Sequence, residues 1–247
     1  MDKQIKAICI VLATIFAFII LLVMCNTDEE NEEVINYTQK DIHEVTTNNT
    51  NSSSSETSCT DPIPGWEKIE IQRANTAIRN DNLTHDEKLI ILYINLVRLN
   101  PKKFCDLYIE RAKNYRFNKP EYISSLIDDL NRNVELPMLY PNDSLIAAAR
   151  SHAIDIGNTG GYGHDSSDGT SFYDRVKRFG YNNPAGENCH YGDRCPLDVV
   201  LDLLVDNDVP SLGHRENILR NSFAEIGVSK QPHTKYDYNV VIDFGVE

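Results

Sequence analysis

Apolar residues recur with helical spacing at the start of the foldable part of the chain. The run THDEKLIILYINLVRLN, residues 84–100, is apolar around nearly its whole circumference, which predicts a deeply buried helix. Thr84 and Glu87 have the spacing of a capping box at its start. Asn100 and Pro101 end this helix and begin a second, because proline suits a first helical position. The pattern therefore opens on two consecutive helices.

A third helix is predicted in LPMLYPNDSLIAAARSHAIDIGN. Asn142 or Asp143 caps it, and Gly157 with the following asparagine ends it. His152 lies beside the apolar stripe of this helix, where a histidine is most often packed within the core.

The pattern changes towards the C-terminus. A short helix, a strand and a further helix are predicted in FYDRVKRFGY, AGENCHYG and PLDVVLDLLVD, and two strands follow in FAEIGVSKQ and YNVVIDFGV. The polar segment SLGHREN separates the last helix from these strands and is interpreted as a turn. Helices that precede strands indicate an α+β layered domain rather than a βαβ series.

The N-terminus has the pattern of an export signal. Residues 7–25 are apolar or small and uncharged, and Lys3 and Lys6 precede them, which predicts a cytoplasmic N-terminus and an exported remainder. Residues 1–25 are therefore a retained signal anchor or a cleaved signal peptide. Residues 26–60 are too polar to form a core and are interpreted as a disordered stalk or linker. Residues 61–83 lead into a domain over residues 84–247.

The charge of the chain argues against one class of partner. The 247 residues carry a formal net charge of -13. Without residues 1–25 the chain has 24 - 2 = 22 basic and 37 - 1 = 36 acidic residues, which gives -14. Such a surface repels phosphate backbones, so no nucleic-acid partner is expected.

Export makes disulfides plausible for the four cysteines beyond the apolar segment. Cys189 and Cys195 are six residues apart across a loop and are expected to pair. Cys59 would then pair with Cys105. Four cysteines allow three connectivities, so this pairing is a prediction.

Five Asn-x-Ser/Thr sequons fit an exported chain, and the stalk contains three of them. The expected glycosylation sites are Asn36, Asn48, Asn51, Asn82 and Asn142.

Common catalytic signatures are absent from the sequence. It has no HExxH, no GxSxG and no phosphate-binding glycine loop that ends in Lys-Ser/Thr. Cys189 and His190 are neighbours in a predicted strand, where adjacent side chains point to opposite faces, so they would not form a nucleophile–base pair.

Two loop histidines and two acids remain as candidate functional residues: His164, Glu187, Asp206 and His214. Two imidazoles and two carboxylates are a suitable ligand set for a divalent cation, with zinc the expected ion. Nothing local in the sequence forces the four together.

An ordered set of motifs resembles the CAP superfamily, also called SCP-like extracellular proteins, in its bacterial and protist versions. The motifs are LYINLVRLNP, LPMLYPNDSLIAAARSHA, GHDSSDGTSFYDRVKRFGY, AGENC, GHRENIL and FAEIGVS. The resemblance implies an α-β-α sandwich with a central antiparallel sheet and a cleft lined by two histidines and two acids. His164 and His214 match the family's histidines, and Glu187 matches its first acid. The second acid falls on or near Asp206, where the family commonly has glutamate.

Three functions are compatible with this resemblance. The first is a non-enzymatic extracellular or membrane-anchored binding module whose cleft accepts a lipid or sterol, a glycan or a protein. The second is a metal-assisted peptidase or esterase with Glu187 as general base, aided by His214. The third is a structural surface protein with a vestigial cleft.

Overall fold

The structure is a computed structural model that describes residues 63–192 and 194–247. This part of the chain contains eight helices and four strands. In chain order they are α1 (Lys68–Ala74), α2 (His85–Leu99), α3 (Pro101–Asn114), α4 (Pro120–Arg132), β1 (Tyr140–Pro141), α5 (Asp143–Thr159), α6 (Phe172–Arg178), β2 (Ala185–Tyr191), α7 (Pro196–Val205), α8 (Gly213–Leu219), β3 (Glu225–His233) and β4 (Asp237–Gly245).

The four strands form one sheet in the order β1-β3-β4-β2. The long strands β2, β3 and β4 pair antiparallel, as predicted, and the two-residue β1 adds a short parallel pairing to β3. The sheet is therefore mixed, and β2 forms one of its edges.

Helices cover both faces of the sheet, which confirms the three-layer α-β-α sandwich. Helix α5 packs on β3 and β4, whereas α2 packs on β3, and α7 and α8 pack on β2. Gly227 of β3 allows the close approach of α5, because a Cβ atom there would lie 2.2 Å from the carbonyl carbon of Leu145.

The main core fills the space between the sheet and α2, α7 and α8. Its fully buried members include Ile90 and Leu96 of α2 and Val228 of β3. The same core cluster includes Trp66 and Ile71. Both residues belong to residues 61–83, which were predicted to lead into the domain.

The predicted helix ends agree closely with the structure. Thr84 and Glu87 form the capping box of α2, in which the carboxylate of Glu87 accepts from Thr84 N at 2.7 Å. Helix α3 begins at Pro101, as predicted. Helix α5 ends at Thr159 rather than at Gly157, and Gly157 instead allows contact with β3, because a Cβ atom there would lie 2.2 Å from Pro232 O.

The SLGHREN segment is a helix where the sequence predicted a turn. Gly213–Leu219 form α8, whose N-cap residue Leu212 provides no side-chain hydrogen bond. The carboxylate of Asp206, which lies outside the segment in sequence, caps the helix instead: it accepts from His214 N at 2.9 Å and from Arg215 N at 3.3 Å. A cap so far away in sequence is invisible to local pattern analysis.

The predicted membrane segment and stalk, residues 1–25 and 26–60, lie outside the described residues. Within residues 63–192 and 194–247, every helix is too short or too polar to cross a bilayer.

Candidate functional site

Glu187 of β2 forms the first of two acid–histidine pairs. Its Oε1 lies 2.9 Å from His164 Nδ1, and its Oε2 forms an ion pair with Arg175 of α6. The Glu187 side chain is only 1% exposed, whereas that of His164 is 53% exposed. The carboxylate therefore holds one edge of an imidazole whose other nitrogen, Nε2, is not part of this pair.

These contacts set the charge of the pair. Burial raises the pKa of Glu187, but the hydrogen bond from His164 and the charge of Arg175 outweigh burial and lower it below its usual value. The hydrogen bond to Glu187 raises the pKa of His164. Glu187 is therefore a stable carboxylate and a weak base.

Arg175 fixes the glycine-rich loop that carries His164. Its guanidinium donates to His164 O at 3.0 Å and to Ser166 Oγ at 3.1 Å, in addition to its ion pair with Glu187. Arg175 was not among the residues predicted from the sequence. The available signal was a charged residue beside the buried positions Phe172 and Val176 of a short amphipathic helix.

The second pair joins Asp206, which ends α7, to His214 in the first turn of α8. His214 Nδ1 lies 2.7 Å from Asp206 Oδ1, while Oδ2 accepts the two backbone N–H groups at the start of α8. The Asp206 side chain is 0% exposed. Its backbone has φ 56°, in the left-handed region that aspartate tolerates better than most residues.

Two asparagines connect the pairs across β2. Asn188 Nδ2 donates to His214 O at 3.0 Å, and Asn217 Nδ2 donates to Asn188 Oδ1 at 2.9 Å and to Glu187 O at 3.3 Å. Helix α8 is thus tied to the strand that carries Glu187. The structure therefore places the four predicted residues in two acid–histidine pairs, which these two asparagines link. No three of the four are among the donor atoms that lie within 4.8 Å of one another in the described part of the chain.

A cleft of about 420 Å³ opens beside the first pair. It extends from α6 to α8, and its lining includes His164, Glu187, Phe172, Tyr173 and Arg220. The ring of Tyr173 is largely exposed. The cleft combines an aromatic surface with charged groups, as ligand sites commonly do.

Three further polar residues lie behind Glu187 in the protein interior: His152, Cys189 and Asp243, each buried. Asp243 of β4 is the register partner of Glu187. Burial raises the pKa of the Asp243 carboxyl group well above its usual range, and the charge of Glu187 raises it further. Burial likewise raises the pKa of the Cys189 thiol and lowers that of His152.

His152, Glu187 and Cys189 form the one group of three or more potential metal ligands found in the described part of the chain. One donor atom from each lies within 4.8 Å of the other two. A single ion held by His164, Glu187, Asp206 and His214 stays a prediction.

The predicted Cys189–Cys195 disulfide is absent from the structure, where both residues are free thiols. In β2, His190 points towards Asp202 of α7 at 3.1 Å, so its neighbour Cys189 points to the opposite face, where it packs with Ala153. Cys195 lies at the start of α7, on the side of His190. The six-residue spacing of the two cysteines did not indicate that they lie on opposite faces of β2. Cys59 lies outside the described residues, so its pairing with buried Cys105 stays a prediction.

Two sequons lie in the described residues. Asn82 is exposed and its Nδ2 donates to Asp143 at 3.1 Å. Asn142 Nδ2, the atom that would carry a glycan, donates to Glu225 at 2.8 Å, while its Oδ1 caps α5. A glycan at Asn142 would disturb these contacts. Glycosylation at both sites stays a prediction, and Asn36, Asn48 and Asn51 lie outside the described residues.

Three solved structures to which the chain is similar are bacterial proteins. An extracellular protein of Bacillus anthracis that contains an SCP domain is 24% identical, with a TM-score of 0.40, over 51% of this chain and 39% of that one. An outer surface protein of Borrelia burgdorferi is 25% identical, with a TM-score of 0.39, over 51% of this chain and 90% of that one. The CAP domain of enterococcal PrgA is 15% identical, with a TM-score of 0.32, over 73% of this chain and 88% of that one.

The family assignment rests on the sequence. No curated protein matches the chain. The sequence model of the CAP family, described as the cysteine-rich secretory protein family, matches residues 93–244. This match covers 152 of the 247 residues. The chain therefore belongs to the CAP family.

Proposed function

We propose that the protein is an extracellular or cell-surface binding module, whose cleft holds a divalent cation and accepts a lipid or sterol, a glycan or a protein ligand. Membership of a secretory protein family and the apolar N-terminal segment support the location. The same segment would provide attachment to a membrane. The net charge of -13 argues against nucleic acid as the ligand.

The observation that carries the proposal is the pairing of each histidine with a buried carboxylate. Metal-binding histidines commonly donate one ring N–H to a carboxylate, which orients the other nitrogen for the metal. His164 and His214 each direct Nδ1 to an acid, so Nε2 of each is the donor atom that would bind zinc. We infer that Glu187 and Asp206 orient the two histidines of the cleft rather than bind its ion, because the Nδ1 atom of each ring already pairs with one of these carboxylates.

The composition of the cleft favours binding of a ligand beside the cation. Tyr173 offers an exposed ring for stacking, and Arg220 offers donors to an anionic or hydroxyl group. A cation on His164 would lie along the same wall.

Hydrolysis is the less supported alternative. A general base works best when its pKa lies near the operating pH, and the pKa of Glu187 is instead lowered by His164 and Arg175. In addition, one oxygen of Glu187 pairs with His164 and the other pairs with Arg175.

Calorimetric titration of the full-length chain with zinc tests the proposal. His164→Ala and His214→Ala each remove one imidazole, so each should weaken zinc binding at the cleft by about tenfold or more, comparable to the effects known for metal-site residues. His85→Ala is the matched control, because His85 is an exposed histidine on α2.

Zinc binding that is unchanged in both cleft variants would overturn the assignment of the ligands. Zinc-dependent turnover of peptides or esters that Glu187→Gln abolishes would establish the hydrolase instead. Asp206→Asn keeps an acceptor for the N–H groups of α8 but removes the carboxylate that orients His214, so it should weaken zinc binding in the same direction as His214→Ala.

A further inference from the structure

A second group of metal-binding side chains lies on the inner side of Glu187. Donor atoms of His152, Glu187 and Cys189 all lie within 4.8 Å of one another, and all three residues are buried. Ligands on a tetrahedral zinc ion, at about 2.0–2.3 Å from the metal, are themselves about 3.3–3.8 Å apart. The group therefore needs only a small contraction to hold an ion.

His152 has one ring nitrogen that is available to a metal ion. Its Nε2 lies 2.9 Å from Gly163 O, and because a carbonyl only accepts, Nε2 carries the proton in this contact. The other ring nitrogen, Nδ1, then has a lone pair that is buried without a hydrogen-bond partner among the described residues. A backbone carbonyl that fixes the tautomer of a histidine is the usual support of a metal ligand.

Asp243 lies next to this group, although it is not among the three residues whose donor atoms lie within 4.8 Å of one another. It lies opposite Glu187 on the neighbouring strand, and its buried carboxyl group meets the Glu187 carboxylate with no other hydrogen-bond partner among the described residues. Directly opposed side chains on antiparallel strands have Cβ atoms about 4.5–5.5 Å apart, so the two carboxyl groups share one space. Two carboxyl groups in one buried space need a cation or a proton between them.

We propose that Cys189, His152 and Glu187 bind a thiophilic divalent cation of the zinc type, with Asp243 as the remaining carboxylate. The charges balance: the cation and Arg175 contribute +3, and the carboxylates of Glu187 and Asp243 with the thiolate of Cys189 contribute -3. Binding releases to solvent the protons that the thiol and the Asp243 carboxyl group carry in the metal-free protein.

The cleft gives the ion a route to this site. Cys189 Sγ lies 3.8 Å from the ring of His164, whose side chain is half exposed. The inner site can be distinguished from the proposed cleft cation, because only the inner site contains sulfur. Glu187 is common to both: it orients His164 in the cleft and binds the ion in the inner site.

Cobalt(II) added to the full-length chain, both after folding and during refolding, tests the inner site. A thiolate ligand gives cobalt(II) an intense near-ultraviolet charge-transfer absorption that imidazole and carboxylate ligands do not give. The band should appear in the wild-type chain at one cobalt per protein, disappear in Cys189→Ser and weaken at least tenfold in affinity in His152→Gln.

Cys195→Ser is the matched control and should leave the band unchanged, as should His214→Ala. No band in the wild-type chain under either condition, or a band that persists in Cys189→Ser, would overturn the inner site. Loss of cleft zinc binding in His214→Ala with an intact cobalt–thiolate band would separate the two sites, so failure of one proposal does not entail failure of the other.

Discussion

The Asp243→Asn variant tests whether the carboxyl group behind Glu187 is protonated in the folded protein. Burial and the adjacent Glu187 carboxylate raise the pKa of Asp243 well above its usual range. In the unfolded chain the same group ionises near its ordinary pKa of about 3.9. Between these two pKa values, folding takes up one proton, so the stability of the wild-type protein falls as the pH rises. Asparagine has a similar shape, can donate to Glu187, and needs no proton.

The size of the effect follows from the proton count. The folded state binds one more proton than the unfolded state, which lowers the free energy of unfolding by about 1.4 kcal/mol for each pH unit above about 4. This contribution is fully present below the unfolded pKa and is lost as the pH rises towards the folded pKa. From pH 5 upwards, Asp243→Asn should therefore gain stability relative to wild type, by about 1.4 kcal/mol for each pH unit until the folded pKa of Asp243 is reached.

Urea unfolding at several pH values, with a chelator present to exclude metal, measures this difference. Asp81→Asn is the matched control, because Asp81 is exposed and solvated in both states, and its curve should run parallel to that of the wild type. If the Asp243→Asn and wild-type stabilities keep a constant difference from pH 5 to pH 7, Asp243 is ionised in the fold and the reasoning fails.

Three further predictions address the scaffold and the thiols. Arg98 is fully buried and donates to four backbone carbonyls near β1 and the end of α8. Arg98→Met should therefore lower the free energy of unfolding, measured in urea, by about 3 kcal/mol or more. The control Arg79→Met, at an exposed arginine, should change that free energy by no more than about 0.5 kcal/mol. Thr84→Ala removes the side-chain cap of α2 and should lower the free energy of unfolding by about 1 kcal/mol in the same measurement. An unchanged free energy of unfolding would show that Glu87 alone is enough to cap the helix. Alkylation followed by mass spectrometry should label exposed Cys195 before Cys189, because burial keeps Cys189 inaccessible and raises its pKa; equal rates would contradict its burial.

Local patterns predicted most of the fold correctly. The capping box of Thr84 and Glu87, the proline at the start of α3 and the strand-like runs of β3 and β4 are all short-range signals, and each led to the right element. The helix in SLGHREN was not predicted from the sequence, because its capping residue, Asp206, lies outside the segment. Helices α1 and α4 and the short β1 were not identified in the sequence.

The candidate site residues could be predicted from the sequence, whereas the contacts between them could not. The sequence named His164, Glu187, Asp206 and His214, yet it treated them as four equal ligands. The division into two acid–histidine pairs depends on tertiary contacts between β2, α7 and α8. The disulfide prediction for Cys189 failed although strand alternation was available, because spacing between cysteines was considered without the faces of β2.

The inner residues illustrate a signal that the sequence did contain. Asp243 is a single acid in the otherwise apolar run YNVVIDFGV, and His152 lies beside the apolar stripe of α5. A charged or titratable residue at a position that the pattern buries indicates a specific partner. Only the register of β2 with β4 reveals that the partner of Asp243 is Glu187.

Anomalous diffraction above the zinc absorption edge, from crystals of the protein grown with zinc, tests the central claim most directly. The account predicts one peak in the cleft at about 2.0–2.1 Å from Nε2 of both His164 and His214. A separate peak at Cys189 would belong to the inner site. A cleft without a peak at these two imidazoles, or separate ions on each, would contradict the account.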